Sequence, residues 1–303
     1  MKNKKVEVHL RGVNCYDSFY THRILKCGGY SVLTLSYILN FMKKSAVFYD
    51  IADSIFRYQI WFLLGWQDIK LRYRRSTIGP FWLTLSMAVT IYSMGFLYAK
   101  LFHVKLVDYY PYLTVGMISW QFISSIVNES TQGFLQAESF LKEMKLPAPV
   151  FIMRMIFRNF LILLHNLPVY IPIIFIFHIK LNLYFLLFIP ALLLIILNGF
   201  VYGTLLAFLG ARFRDVGQIV ASLIQVIFFI TPIMWSTSAL TPQDAALVQK
   251  NPFAIFIELL RAPLLGTTAP VSDYLFACIS GIIGLILLML LYPRYKSRLI
   301  YWL

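Results

Sequence analysis

From residue 183 to residue 209 the chain runs without one Asp, Glu, Lys or Arg, and Leu, Ile, Phe and Val fill most positions. A helix needs about 20 such residues to cross the hydrocarbon core of a bilayer. Five further apolar runs follow the same logic. Together they predict spans at about 79–102, 111–131, 151–178, 183–209, 217–235 and 271–292. The expected fold class is an all-α integral membrane protein with six transmembrane helices. Composition supports this: 59% of residues are hydrophobic and 13% are charged, against roughly 45–50% and 25% in soluble domains.

Charge fixes the orientation. With the N-terminus cytoplasmic, 22 of the 27 Lys and Arg fall on the inner side of these spans, as the bias of cytoplasmic loops requires. Both termini are then cytoplasmic. The same bias accounts for the net charge of +14, so no nucleic-acid partner is expected. The polar first 30 residues show no cleavable signal peptide. Cys15, Cys27 and Cys278 are scattered, with neither metal-ligand spacing nor a disulfide framework.

Three segments outside the spans have structure of their own. Phe48, Ile51, Ile55, Tyr58 and Phe62 share one helical face over 48–66. The basic cluster Lys70, Arg72, Arg74 and Arg75 follows. This reads as an amphipathic helix in the membrane interface with its basic end on anionic headgroups, or as an ordinary packed helix. Between spans two and three, Phe134, Ala137, Leu141 and Met144 lie on one face, and Gln136, Glu138, Lys142, Glu143 and Lys145 are polar. Such a helix docks in a soluble partner or lies on the bilayer. The Pro-rich stretch 236–270 holds the apolar piece Phe253–Leu265, too short to cross and bounded by Pro252 and Gly266. It predicts a re-entrant or interfacial helix pair broken at Pro263.

Several chemistries are missing. The chain has no phosphate-binding G-x-x-x-x-G-K-[ST] loop. The five histidines are isolated, and no paired carboxylates sit inside a predicted span. The chain therefore cannot be assigned an ATPase of its own, and no cofactor or metal is expected on it. Arg154 and Arg158, four apart at the entry of span three, read as snorkelling to headgroups, with contact to an anionic lipid-linked substrate as the alternative. Pro168 and Pro172 predict a kink in that span.

Five pieces occur in order: DIKLRYRRSTIGPFW at 68–82, VGMISWQFISS at 115–125, LGARFRDVGQIV at 209–220 with FFITPIMW at 228–235, NPFAIFIELLRAPLLG at 251–266, and the terminal RLIYWL. In these pieces the chain resembles the permease subunits of ABC-2 type polysaccharide exporters, which move O-antigen, capsule or teichoic-acid polymers, and it looks closest to the O-antigen members. The resemblance implies a homodimer of six-span protomers, with two copies of a separate ATPase subunit binding ATP and Mg. It implies a lipid-linked polysaccharide passing between the protomers at the inner membrane. The coupling helix would comprise Phe134, Leu135, Glu138, Leu141, Lys142, Met144 and Lys145. The lipid diphosphate would meet Lys70, Arg72, Arg74 and Arg75. Channel-lining aromatics would be Tyr92, Tyr98, Trp120, Phe122, Phe228 and Phe229. Family members start just ahead of the interface helix, so residues 1–41 read as an extension and 42–303 as the transmembrane domain, with Met42 as an alternative start. Two other readings stand beside this one: a permease for a drug or lipid, and a membrane-embedded glycosyltransferase. The second of these predicts acidic residues in or beside the spans.

Overall fold

The computed structural model describes residues 7–10, 13–16 and 48–303, apart from 102, 145, 180, 181 and 236–240. The chain divides into two compact units, Met1–Asp50 and Ile51–Leu303. In the first, Glu7–Leu10 (β1) and Val13–Tyr16 (β2) form an antiparallel hairpin with Leu10 opposite Val13. The sequence reading has no strand there. The short apolar run 31–42 lies outside the described residues.

The helices are α1 (48–56), α2 (Tyr58–Arg72), α3 (Phe81–Leu101), α4 (Leu106–Ser130), α5 (Glu138–Glu143), α6 (Pro149–Asn166), α7 (Tyr170–Ile176), α8 (Phe188–Arg212), α9 (Val216–Ile230), α10 (Pro242–Gln249), α11 (Pro252–Leu264) and α12 (Val271–Trp302). Among the described residues, four helices are long and apolar enough to cross a membrane: Phe81–Leu101, Pro149–Ile176, Leu183–Arg212 and Val271–Trp302. The second of these is α6 and α7 joined by one 3-10 turn, Leu167–Val169, that contains Pro168. The 3-10 turn falls at the first of the two prolines from which a kink is expected, since proline removes a backbone donor.

The other two predicted spans correspond to α4 and α9, which differ from a simple apolar rod. α4 is polar for a physical reason. It packs against α3, α6, α7, α8, α9 and α11, and Thr114, Ser119, Ser124 and Ser130 are buried in the bundle. The Thr114 hydroxyl donates to the Tyr110 carbonyl at 2.7 Å, and the Ser130 hydroxyl to Ile126 at 2.5 Å. Hydroxyls satisfied by their own helix can sit in an apolar core. α9 ends at Ile230, earlier than the predicted 235, because Pro232 cannot continue the ladder. Its 15 residues rise about 22 Å.

Two other boundaries move. The expected single helix over 48–66 is broken at Arg57. Of its stripe only Ile51 is buried; Phe48, Ile55, Tyr58 and Phe62 are exposed. The 236–270 pair divides at Asn251–Pro252, not at Pro263, which lies in the last turn of α11. The Asn251 side chain caps α11 by accepting from the Phe253 amide at 3.0 Å, and Pro252 is tolerated in the first turn, where its missing N–H costs nothing.

Close contacts define the two ends of the bundle. At one end a Cβ on Gly210 of α8 would overlap the Thr131 carbonyl oxygen, so the turn after α4 lies against the backbone of α8. The Arg212 guanidinium there covers the ring of Trp302 at the end of α12. At the other end Tyr109 donates to the Met234 carbonyl at 2.6 Å, Tyr170 to Leu264 at 3.0 Å, and Arg261 to Pro232 at 2.9 Å.

Candidate functional site

Four charged side chains from three helices meet where α2 crosses α6. Asp68 of α2 accepts from Arg154 Nε at 2.8 Å and Nη2 at 2.5 Å, a bidentate pair, and from Arg158 Nη1 at 3.2 Å. Arg158 Nη2 also donates to Glu129 of α4 at 2.7 Å, and Asn159 Nδ2 donates to the same Glu129 oxygen at 2.6 Å. The Asp68 and Arg158 side chains are 13% and 12% exposed. Two cations and two carboxylates cancel, which is how charges persist in a poorly hydrated setting. Gly65 permits this crossing, since a Cβ there would lie 2.8 Å from Phe157 and 3.1 Å from the Arg154 carbonyl oxygen.

The arginines therefore do not snorkel; they clamp α2 to α6 and α4. The cluster was not legible because Asp68 is 86 residues from Arg154 and 90 from Arg158. The available signal was the i,i+4 arginine pair at the start of a span, which demands two carboxylates from elsewhere.

The predicted coupling segment adjoins this cluster. Residues 131–137 form turns, and only Glu138–Glu143 is helical, shorter than the amphipathic helix expected from Phe134. Phe134 is fully buried, edge-on to Phe208 of α8 at 4.9 Å. Ala137 and Leu141 are buried with it, Leu135 and Glu138 are half-buried, and Met144 is exposed past the helix end. Lys142 pairs with Glu138 at 2.6 Å on the outer face. Phe140 of α5 lies against Phe151 and under the Arg154 guanidinium, 5.7 Å from the ring centroid. One arginine thus touches both the coupling segment and α2. Lys145 lies outside the described residues.

Lys70, Arg72, Arg74 and Arg75 are all exposed at the end of α2 and in the turn beyond it. The predicted aromatics divide into two groups. Trp120, Phe228 and Phe229 are contiguous, with Trp120 5.6 Å from Phe228 and Phe228 5.4 Å from Phe229; Phe253, missed by the sequence reading, joins them at 5.9 Å from Trp120. Tyr92 stands apart, donating to the Val169 carbonyl at 3.0 Å and facing Tyr110 at 6.3 Å. Tyr98 packs on the buried cluster of Ala99, Tyr109 and Leu113. Phe122 and Trp120 are buried within the protomer, whereas Phe229 is exposed.

The geometry is that of a membrane bundle with a charge-locked junction beside a short surface helix, and a family comparison decides its class. Residues 58–265 match the family profile described as ABC-2 type transporter. The chain belongs to the ABC-2 type transporter family. It is a multi-pass membrane protein and the membrane subunit of such a transporter, not itself the catalyst. It is similar to "O-antigen export system permease protein RfbA" of Klebsiella pneumoniae, at 24% identity over 77% of this chain and 90% of the relative. The protein of the same name from Myxococcus xanthus is 22% identical over 77% of this chain and 89% of its own length. A second Klebsiella pneumoniae protein of that name is 23% identical over the same share of this chain.

Proposed function

We propose that this chain is the permease subunit of an ABC transporter that exports a lipid-linked polysaccharide of the O-antigen kind across the inner membrane. The observation that carries the reading is the similarity to O-antigen export permeases over about nine-tenths of their own length. In it the ABC-2 permease works as a homodimer with a separate ATPase subunit that holds ATP and Mg.

The protomer crosses six times, with both termini cytoplasmic. Support comes from the two bundle ends. The turn after α4 meets α8 at one end, while the start of α4 meets residue 234 at the other. α9 likewise begins beside Gln132, against Gly217, and ends where Thr231 accepts from Asn251 at 3.0 Å. α4 and α9 therefore run the length of the bundle although their composition is not that of simple spans. The end bearing Lys70–Arg75, Arg212 and Arg214 is the cytoplasmic one, by the positive-inside bias.

On this reading the 131–143 segment receives the ATPase, and Phe134 and Phe140 transmit its movement to α8 and Arg154. Lys70, Arg72, Arg74 and Arg75 face the lipid diphosphate and anionic headgroups, as cations do for phosphate. α10 and α11 form the re-entrant pair. The polymer passes between two copies, along Tyr92, Tyr98, Phe228 and Phe229, with Trp120 and Phe122 buried behind them inside the protomer; α9 supplies the opposing apolar faces, since Ile219, Leu223, Val226 and Phe229 are uncovered in the protomer. The test is deletion of the gene. Loss of long-chain polysaccharide from the surface, with lipid-linked polymer accumulating inside, supports the reading. Unchanged surface polymer overturns it.

A further inference from the structure

We propose that the cavity between α4, α11 and the start of α12 is a saccharide-binding subsite. The proposal rests on the export reading for its ligand and on this protomer's own geometry for its place.

The cavity measures about 670 Å³, within the range of small-molecule sites. Its wall carries four formal charges that cancel: Lys250 and Arg261 against Glu258 and Asp273. They do not neutralise one another by close pairing. Among the described residues Lys250 and Asp273 make no ion pair, and the one contact of Glu258 with Arg261 is 3.6 Å long, with the Glu258 side chain 41% exposed. Arg261 is the opposite extreme, 2% exposed, with its guanidinium held 3.9 Å from the centroid of the Tyr112 ring and donating to Pro232. Its Nε–H is buried and has no partner among the described residues.

This wall selects by chemistry. A balanced charge set favours neither an anion nor a metal cation. It offers strong donors and strong acceptors side by side, with the ring of Phe276 as an apolar wall. A sugar hydroxyl donates and accepts at once, and a pyranose ring has apolar C–H faces. A neutral, hydroxyl-rich ring is therefore the ligand that satisfies the carboxylates and the ammonium together, with the buried Arg261 guanidinium behind them. The subsite lies at the end opposite the basic cluster, so it meets a sugar unit on the far side of the membrane, where a translocating chain emerges.

The experiment places p-benzoylphenylalanine at Ser272, an exposed residue on the cavity wall, in the full permease and ATPase complex in cells. The same residue at Leu183, 84% exposed, is the control. After irradiation, antiserum to the cell's surface polysaccharide probes the permease band. A polymer-positive adduct from Ser272 and none from Leu183 is expected. Adding Glu258→Gln with Lys250→Ala, or Asp273→Asn alone, lowers the adduct about tenfold, the worth of one hydrogen bond to a charged group. Two results overturn the subsite while leaving export intact: no adduct in cells that still display polymer, or an adduct carrying lipid and no sugar. Adducts insensitive to all three substitutions overturn it as well. Surface polymer that persists after deletion of the gene removes the export reading itself, which separates the two failures.

Discussion

Asp68 and Arg154 form a bidentate ion pair that ties α2 to the first turns of α6. The pair is mostly buried and Asp68 also serves Arg158. Removing the carboxylate strands Arg154 and leaves Arg158 with Glu129 alone. Asp68→Asn is therefore expected to destabilise the fold by about 3 kcal/mol. Thermal unfolding of the detergent-solubilised protein reads this directly, and Asp68→Glu should recover part of the loss. An unchanged midpoint for Asp68→Asn shows that the pair holds nothing.

The turn after α4 is seated on α8 through glycine. A methyl group at Gly210 would overlap the Thr131 carbonyl oxygen, whereas at Gly199 its nearest neighbour is a side-chain atom of Ile126 at 3.1 Å. Gly210→Ala should displace the 131–143 segment, cost about 2 kcal/mol or more by overpacking and lower export. Gly199→Ala should be close to neutral. Comparing membrane level and surface polymer for the two variants checks the contrast; equal effects contradict it.

The exposed Glu138–Lys142 pair is expected to contribute under about 1 kcal/mol to stability yet to face the ATPase. Lys142→Glu together with Met144→Asp should leave the unfolding midpoint within about 1 °C and reduce co-purification of the ATPase subunit. Full retention of the ATPase by this variant refutes its docking on α5.

Lys70, Arg72, Arg74 and Arg75 are uncovered in the protomer. Each cation near an anionic surface is worth about 1 kcal/mol. Replacing all four by Gln is expected to leave folding unchanged, to weaken retention of anionic lipid through purification, and to stop export. Normal export by the fourfold variant rules out a role in meeting the lipid diphosphate.

Periodicity and composition carried the long apolar helices into view, because the apolar character of α3, α6, α8 and α12 is a property of each segment by itself. The 3-10 turn at Pro168 was legible for a similarly local reason: proline acts on its own turn. Long-range chemistry was not. The reading of Arg154 and Arg158 as snorkelling followed from the cost of a lone charge, and only the fold reveals that Asp68 and Glu129 remove it. The helix break at Asn251–Pro252 was misplaced to Pro263 because Pro252 bounds the apolar run and Pro263 lies inside it, and the deciding factor is the Asn251 cap. Phe253 escaped notice since its partner, Trp120, lies on a different span.

The interior position of α4 has a consequence for how the protein is made. Gln121, Asn128 and Glu129 would each meet hydrocarbon if this helix entered the bilayer by itself. Its neighbours answer part of that cost: Arg158 and Asn159 engage Glu129, and the Tyr110 ring fills the notch left by Gly95 on α3. On the six-span reading, α4 is the helix least able to enter hydrocarbon alone, and its cost falls once α6 brings Arg158 and Asn159 to Glu129.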